Sequence, residues 1–244
     1  MTLEIFAINL DRSTDRWQLL VDRAKQLDLA LNRVSAMDGR QIVEADREDI
    51  DDKAFQRNMG RTMLPGEYGC YRSHIKALRQ FLTTDAELAL IIEDDFQLVE
   101  TSTARVTTAF AAVPDAEVIK FFNHRVVGFR RTARSSFGDE LGRALHGPLG
   151  SAACYGVTRP GAERLITHLT TMCYPWDIAL ERAWHHGAAV YTCRHNVGAV
   201  TTGGTTIATR SIYRSVKFSK WKRLGTYALR LKDNILRFTY ALKG

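Results

Sequence analysis

The chain lacks any apolar run of about 18 residues, so no segment is expected to cross a bilayer as a helix. Behind Met1-Thr2-Leu3-Glu4 there is no basic n-region followed by an apolar h-region, which argues against a secretory signal and for a cytoplasmic protein. Cysteine is sparse: Cys70, Cys154, Cys173 and Cys193 lie far apart and form no CxxC pair. A zinc knuckle and a disulfide framework are therefore both unsupported, and free thiols in a reducing compartment are the simpler expectation. Neither G-x-G-x-x-G nor G-x-x-x-x-G-K-[ST] occurs, which removes the dinucleotide fingerprint and the P-loop. Internal repeats and low-complexity linkers are absent as well.

What is present suits one sizeable domain or two small ones: 244 residues, 45% hydrophobic and 25% charged. The charge is unevenly placed. Residues 210–244 hold ten Lys/Arg against the single acid Asp233, a balance of +9 in a chain of net +7, so the first 209 residues sit near −2. A basic surface on the body itself, as nucleic-acid binding would want, is not indicated. We expect a catalytic domain over 1–209 and a basic tail over 210–244.

Apolar strands alternate with helical patterns. Strands are predicted at 3–9, 34–36, 88–92, 118–122, 152–157 and 190–193, and helices at about 14–27, 64–82, 102–112, 160–169 and 175–186. Residues 41–62 read as loop with one short helix, and 123–149 as irregular. This alternation is the α/β signature, with a mostly parallel central sheet flanked by helices.

LALIIEDDF is the sharpest chemical feature. An apolar strand ending in Glu93-Asp94-Asp95 places three carboxylates at the carboxyl edge of the sheet, where open α/β sheets bind ligands. They repel one another unless a cation neutralises them, and Mg²⁺ or Mn²⁺ accepts such oxygens; a solvated acidic turn is the alternative. In LPGEYGCYRSHIKAL, Ser73 and His74 lie on a helix, in either a functional or a structural role. After the first strand, Asn9, Asp11, Arg12 and Arg16 can hold a nucleotide or simply cap a solvated helix start. Asp177 follows Tyr174-Pro175-Trp176, where it is either a helix-start charge or part of a site with an aromatic platform for a sugar.

Taken in order, INLDRSTDR (8–16), RVSAMDGR (33–40), LPGEYGCYRSHIKAL (64–78), LALIIEDDF (88–96), GSAACYGVTRPGAERL (150–165) and YPWDIAL (174–180) resemble glycosyltransferase family 25. This is the lipooligosaccharide galactosyltransferase family of Gram-negative bacteria, with collagen galactosyltransferases as more distant members. The resemblance covers about residues 3–200. It implies a GT-A-like fold, a UDP-sugar donor (commonly UDP-galactose), a divalent metal (Mn²⁺, with Mg²⁺ as the alternative), and inversion at the anomeric carbon. Glu93, Asp94 and Asp95 match its acidic metal motif, with Asp95 the first choice of ligand and His195 a further one. Asp177 matches the acid that serves as base. Asn9, Asp11, Arg12, Arg16, Asp38, Gly39, Ser73, His74, Lys120 and Asn123 then form the donor-binding set. The implied acceptor is a lipid-linked oligosaccharide of lipopolysaccharide made on the inner face of the cytoplasmic membrane.

In the tail, Trp221, Leu224, Ala228, Leu231, Ile235, Phe238 and Leu242 recur at steps of three and four, flanked by Lys220, Arg223, Arg230, Lys232 and Arg237. Such a basic amphipathic helix suits an anionic membrane surface; packing on the domain or pairing in a homodimer are the alternatives. Two rival readings remain for the whole chain: a metal-dependent phosphoesterase, and a nucleic-acid-binding protein acting through the tail.

Overall fold

The computed structural model describes residues 1–201 and 210–243, so the composition break expected near residue 209 falls outside the described residues. The chain runs β1 (Leu3–Asn9), α1 (Thr14–Gln26), β2 (Leu31–Ser35), α2 (Asp52–Met59), α3 (Pro65–Leu82), β3 (Leu88–Glu93) and β4 (Phe96–Gln97). It continues through α4 (Ser102–Ala112), β5 (Val118–Lys120), β6 (Val127–Arg134), β7 (Glu140–His146), β8 (Cys154–Thr158) and α5 (Arg159–Leu169). Last come α6 (Trp176–Leu180), α7 (Ala183–His186), β9 (Val190–Cys193), β10 (Ala199–Val200), α8 (Arg210–Ser215) and α9 (Leu224–Leu242).

Eight strands form one sheet in the order β2-β1-β3-β8-β5-β9-β7-β6. β1 is parallel to β2 and β3, and β5 to β9. β8 lies antiparallel between β3 and β5, and β7 antiparallel between β9 and β6. Six of the eight strands thus point one way, with β8 and β7 reversed, and the expected α/β architecture with a mostly one-directional sheet is present. The apolar runs are continuous because both faces are covered. Phe6 and Ile8 of β1, with Ala89 and Ile91 of β3, face the core under α3 and α5. Ile5 and Ala7, with Leu88, Leu90 and Ile92, face the core under α1 and α4. The period of two divides each strand between two cores.

One glycine pair sets how close α3 comes to the open end of the sheet. A Cβ on Gly69 would collide with the Met37 carbonyl and Gly39 backbone, and one on Gly39 with the Pro65 carbonyl. The helix therefore lies directly on the Asp38-Gly39 turn. Ser73 adds a bond in each direction, donating to the Gly69 carbonyl (2.6 Å) and accepting from the Met37 amide (2.8 Å).

Two elements differ from expectation. Residues 123–149 contain the β6–β7 hairpin; β6 (VGFRRTAR) is an exposed edge strand with no apolar alternation, so its sequence carries charge where a buried strand carries pattern. The helix expected over 175–186 breaks at Glu181-Arg182, where the Glu181 carboxylate turns inward to Lys120.

The tail helix α9 packs on β7, α2 and α7. Its docked face is mostly polar: Thr226 donates to the Arg57 carbonyl (2.8 Å), Asp233 accepts from Arg182 (3.0 Å), and Arg237 pairs with Glu181 (3.1 Å). The apolar stripe points the other way, with Trp221 82%, Leu231 62% and Ile235 55% exposed. Packing of that stripe on the domain, one of the alternatives above, is overturned. Among the described residues no helix is long and apolar enough to cross a membrane.

The glycine packing yields a paired prediction. Gly69→Ala is expected to destabilise the fold by about 1–3 kcal/mol through overpacking. Gly225→Ala, with open space at its Cβ on α9, is expected to be neutral or stabilising by up to about 1 kcal/mol. Denaturant unfolding checks both, and equal effects would refute the close approach.

Candidate active site

The carboxyl ends of β1, β2 and β3 meet the start of α3, and two cavities open there. A small one, about 70 Å³, is lined by Arg12, Asp38, Gly39, Ser73, His74, Glu93 and Asp94 among others. A larger one, about 630 Å³, is lined by Glu93, Asp95, His124, Ser151, Trp176, Asp177 and Tyr213 among others. Cys70 and Glu93 belong to both, so they form the shared wall.

The three acids of the β3 end have separate surroundings. Asp94 is fully engaged: Asn9 donates to one oxygen (2.8 Å) and Arg16 to the other (3.1 Å). Glu93 lies 3.4 Å from His74 Nε2. Asp95 Oδ1 is buried with no hydrogen-bond partner among the described residues. Desolvation, then Glu93 and Asp94, push the Asp95 carboxyl up to about 6. An orphaned, charge-crowded carboxylate oxygen on a cavity wall fits a hard divalent cation, which would supply the missing positive charge. The surrounding field agrees. Cys70 is raised well above an ordinary thiol by burial, then by Glu93, Asp177, Glu67 and Asp95.

Asp177 stands at the start of α6, and its Oδ1 accepts from the Ile178 amide (2.9 Å). Burial raises its carboxyl, Glu181 raises it further, and Lys120 opposes both. The loop before β8 closes the cavity from another side. Gly150 and Ser151 both adopt positive φ, +74° and +64°, an uncommon conformation for serine that concentrates at functional sites. Glu181 holds this loop by accepting from the Leu149 and Gly150 amides (2.9 and 3.1 Å).

The expected donor set divides. Arg12, Asp38, Gly39, Ser73 and His74 line the small cavity, and Arg12 and Asp38 form an ion pair there. Asn9 is buried and also accepts from Arg33 (2.7 Å), so it ties strand ends together. Asp11 pairs with Arg33 (3.0 Å) and accepts from Ser35 (2.7 Å), while Arg16 anchors Asp94. Lys120 is buried against Glu181 (2.6 Å), and Asn123 is buried and donates to Thr192 (2.8 Å); neither lines the two cavities. His195 is exposed beyond β9 and lines neither. Trp176 is 2% exposed, stacked on His74 and edge-on to Tyr71, so it is a packed wall and not an open platform.

Sequence reasoning missed Cys70, His124, Ser151 and Tyr213. Only Cys70 carried a signal, its i,i+4 spacing from His74 on one helix face. Tyr213 comes from α8, far along the chain, and lies under the Arg61 guanidinium (5.2 Å to the ring centre).

The chain matches the model of glycosyltransferase family 25 (LPS biosynthesis protein) over residues 2–180 and belongs to that family. It is 28% identical to procollagen galactosyltransferase 1 of Danio rerio over 98 residues, 38% of this chain and 16% of that one. It is 30% identical to a glycosyltransferase 25 family member of Aedes aegypti over 97 residues, again 38% and 16%. Against a family member of Drosophila pseudoobscura pseudoobscura it is 27% identical over 137 residues, 52% and 21%. The matched stretches thus span about a fifth or less of these relatives' own length. Among solved structures, it is similar to a glycosyltransferase involved in the glycosylation of the major capsid of PBCV-1. The TM-score is 0.35 at 8% identity, covering 84% of this chain and 95% of that one.

The separate roles of Asp94 and Asp95 are measurable in stability. A carboxyl raised in the folded state keeps its proton while the unfolded chain has already released it. Stability therefore falls as pH rises from the ordinary carboxylate value through about 6. Asp95→Asn removes that loss and is expected to be more stable than the wild type by about 3 kcal/mol near pH 8, the gap closing below about pH 4. Asp94→Asn loses its Arg16 partner and is expected to be less stable by about 1–3 kcal/mol. Unfolding titrations across pH decide it; an Asp95→Asn variant weaker than the wild type would refute the charge-crowding argument.

Proposed function

We propose that the protein is an inverting glycosyltransferase that moves a hexose, galactose, from a UDP-sugar to a lipid-linked lipooligosaccharide or lipopolysaccharide glycan. The observation that carries this reading is the larger cavity, where Asp95, Glu93 and Asp177 face one space beside the smaller polar cavity. The family's description as LPS biosynthesis proteins supports the acceptor, and the procollagen galactosyltransferases among its relatives support the sugar.

In this reading the nucleotide occupies the end of the sheet at Arg12, Asp38, Gly39 and Ser73. Asp95, with Glu93, would hold the divalent ion, Mn²⁺ or alternatively Mg²⁺, which neutralises charge on the departing diphosphate. Asp177 takes the proton from the acceptor hydroxyl. Its raised pKa makes it a stronger base than an ordinary carboxylate, and the transition state gains from a base whose affinity for protons lies nearer the working pH. The packed Trp176 and Ser151 wall the cavity, limiting water that would hydrolyse the donor.

The test is thermal-shift binding of a UDP-sugar panel with Mn²⁺ and with chelator, followed by turnover of Asp177→Asn. The expected result is Mn²⁺-dependent stabilisation by UDP and UDP-galactose, with turnover of the variant down about 10²–10⁴-fold and donor affinity little changed. No response to any UDP-sugar refutes the donor assignment, and unchanged turnover refutes the base.

We further propose that residues 210–244 form a basic element of the transferase that lies on the inner face of the cytoplasmic membrane. Support comes from the exposed stripe of α9 and its neighbour Trp221, with Lys220, Lys222, Arg230 and Lys232 also exposed around it. Apolar side chains enter the headgroup region while the cations meet anionic lipid. Sedimentation with phosphatidylglycerol vesicles, and not with phosphatidylcholine vesicles, is the expected outcome. Leu231→Asp with Ile235→Asp should lower vesicle binding about tenfold or more without changing transfer to a soluble acceptor. Dimerisation in place of vesicle binding would assign the stripe to a second copy instead.

A further inference from the structure

Cys70 and His74 stand one turn apart on α3, so their side chains share a face, and Glu93 at the end of β3 lies against them. One ligand atom from each, sulfur, ring nitrogen and carboxylate oxygen, fall within 4.8 Å of one another. His74 is fully buried and its ring is fixed. Nδ1 shares a hydrogen bond with the Tyr155 hydroxyl at 3.2 Å, and the ring stacks on Trp176 at 5.2 Å and 8°. Nε2 is buried, has no hydrogen-bond partner among the described residues, and lies 3.4 Å from Glu93 Oε1.

An imidazole oriented through Nδ1 and open at Nε2 is arranged as metal-bound histidines are, with an outer partner fixing tautomer and angle. A tetrahedral ion with bonds of about 2.0–2.1 Å to nitrogen and oxygen sets those atoms about 3.3 Å apart, close to the His74–Glu93 separation. Cys70 is partly buried and lines both cavities, which supplies an entry path and leaves a fourth position open. A thiolate, an imidazole and one carboxylate are a softer set than the oxygens at Asp95, and they favour zinc-class ions over Mg²⁺ or Mn²⁺.

We propose that Cys70, His74 and Glu93 form a second metal site, selective for Zn²⁺-class ions, on the wall between the two cavities. Three protein ligands with one open position make it an exchangeable site. Glu93 faces both this site and the larger cavity. Zinc here therefore withdraws a carboxylate from the transfer site and inhibits, a consequence that rests on the transferase reading above.

The binding test needs no sugar donor. Full-length, chelator-treated protein is titrated with Co²⁺. The wild type is expected to develop a thiolate-to-cobalt charge-transfer band saturating at one ion per chain and reversed by Zn²⁺. The band should vanish in Cys70→Ser and persist in Cys173→Ser and Asp95→Asn. A measurement on unaltered protein guards against a variant that fails to fold: Zn²⁺ should slow iodoacetamide alkylation of Cys70 about tenfold or more, leaving Cys173 unaffected, as read by mass spectrometry. No cobalt band in the wild type, a band that survives Cys70→Ser, or an unprotected Cys70 overturns the site. Failure of donor binding in the thermal-shift panel is read separately, so the two proposals fall independently.

Discussion

Three carboxylates at the end of a fully apolar strand bring more negative charge to the open edge of the sheet than the interior can solvate, and the surrounding structure is arranged around that charge. Asp94 is neutralised by Arg16 and bonded by Asn9, and Asn9 in turn holds Arg33 on β2. One acid thus fastens the ends of β1, β2 and β3 together. Glu93 faces the one open nitrogen of a locked histidine. Asp95 is left with no donor on Oδ1 among the described residues. The same tripeptide therefore supplies a structural ion pair, a shared wall and an unsatisfied ligand. The unsatisfied oxygen retains free energy that a cation could release on binding.

A second buried charge centre joins the body of the fold to its tail. Glu181 collects Lys120, Arg237 and the amides of Leu149 and Gly150. Removing one partner would leave an uncompensated charge in the interior, which is more costly than never burying the group. Arg237 belongs to α9 and Glu181 lies one turn beyond Asp177, so the docking of the tail helix and the electrostatics of the larger cavity share a residue. This explains why α9 can present its apolar stripe outward: polar and charged contacts, with Tyr240 and Ala241 packed beneath, attach it to the domain.

Much of the architecture was legible because burial on both faces writes itself as continuous apolar runs, LEIFAIN and LALII, between amphipathic helices. The acidic end of β3 was legible for the same reason, since three charges after five buried residues can only lie at an edge. The β6–β7 hairpin was not, because an exposed edge strand rich in arginine has no period to read. The break between α6 and α7 was not, because it accompanies a partner, Lys120, some sixty residues away in sequence. Lys120 and Asn123 looked like edge residues free to reach a ligand, and the fold instead spends them on Glu181 and Thr192.

The sequence by itself determined the class of fold, the family, the acidic strand end and the basic stripe of the tail, because each is a local pattern of burial or charge. Tertiary structure alone decided which of three adjacent carboxylates keeps a buried oxygen with no partner among the described residues. It also decided that Cys70, His74 and Glu93 converge, and that the tail's apolar face looks outward. These depend on distances between residues far apart in the chain, which are set by the packing of α3 on Gly39 and of α9 on Glu181, and no local periodicity encodes them.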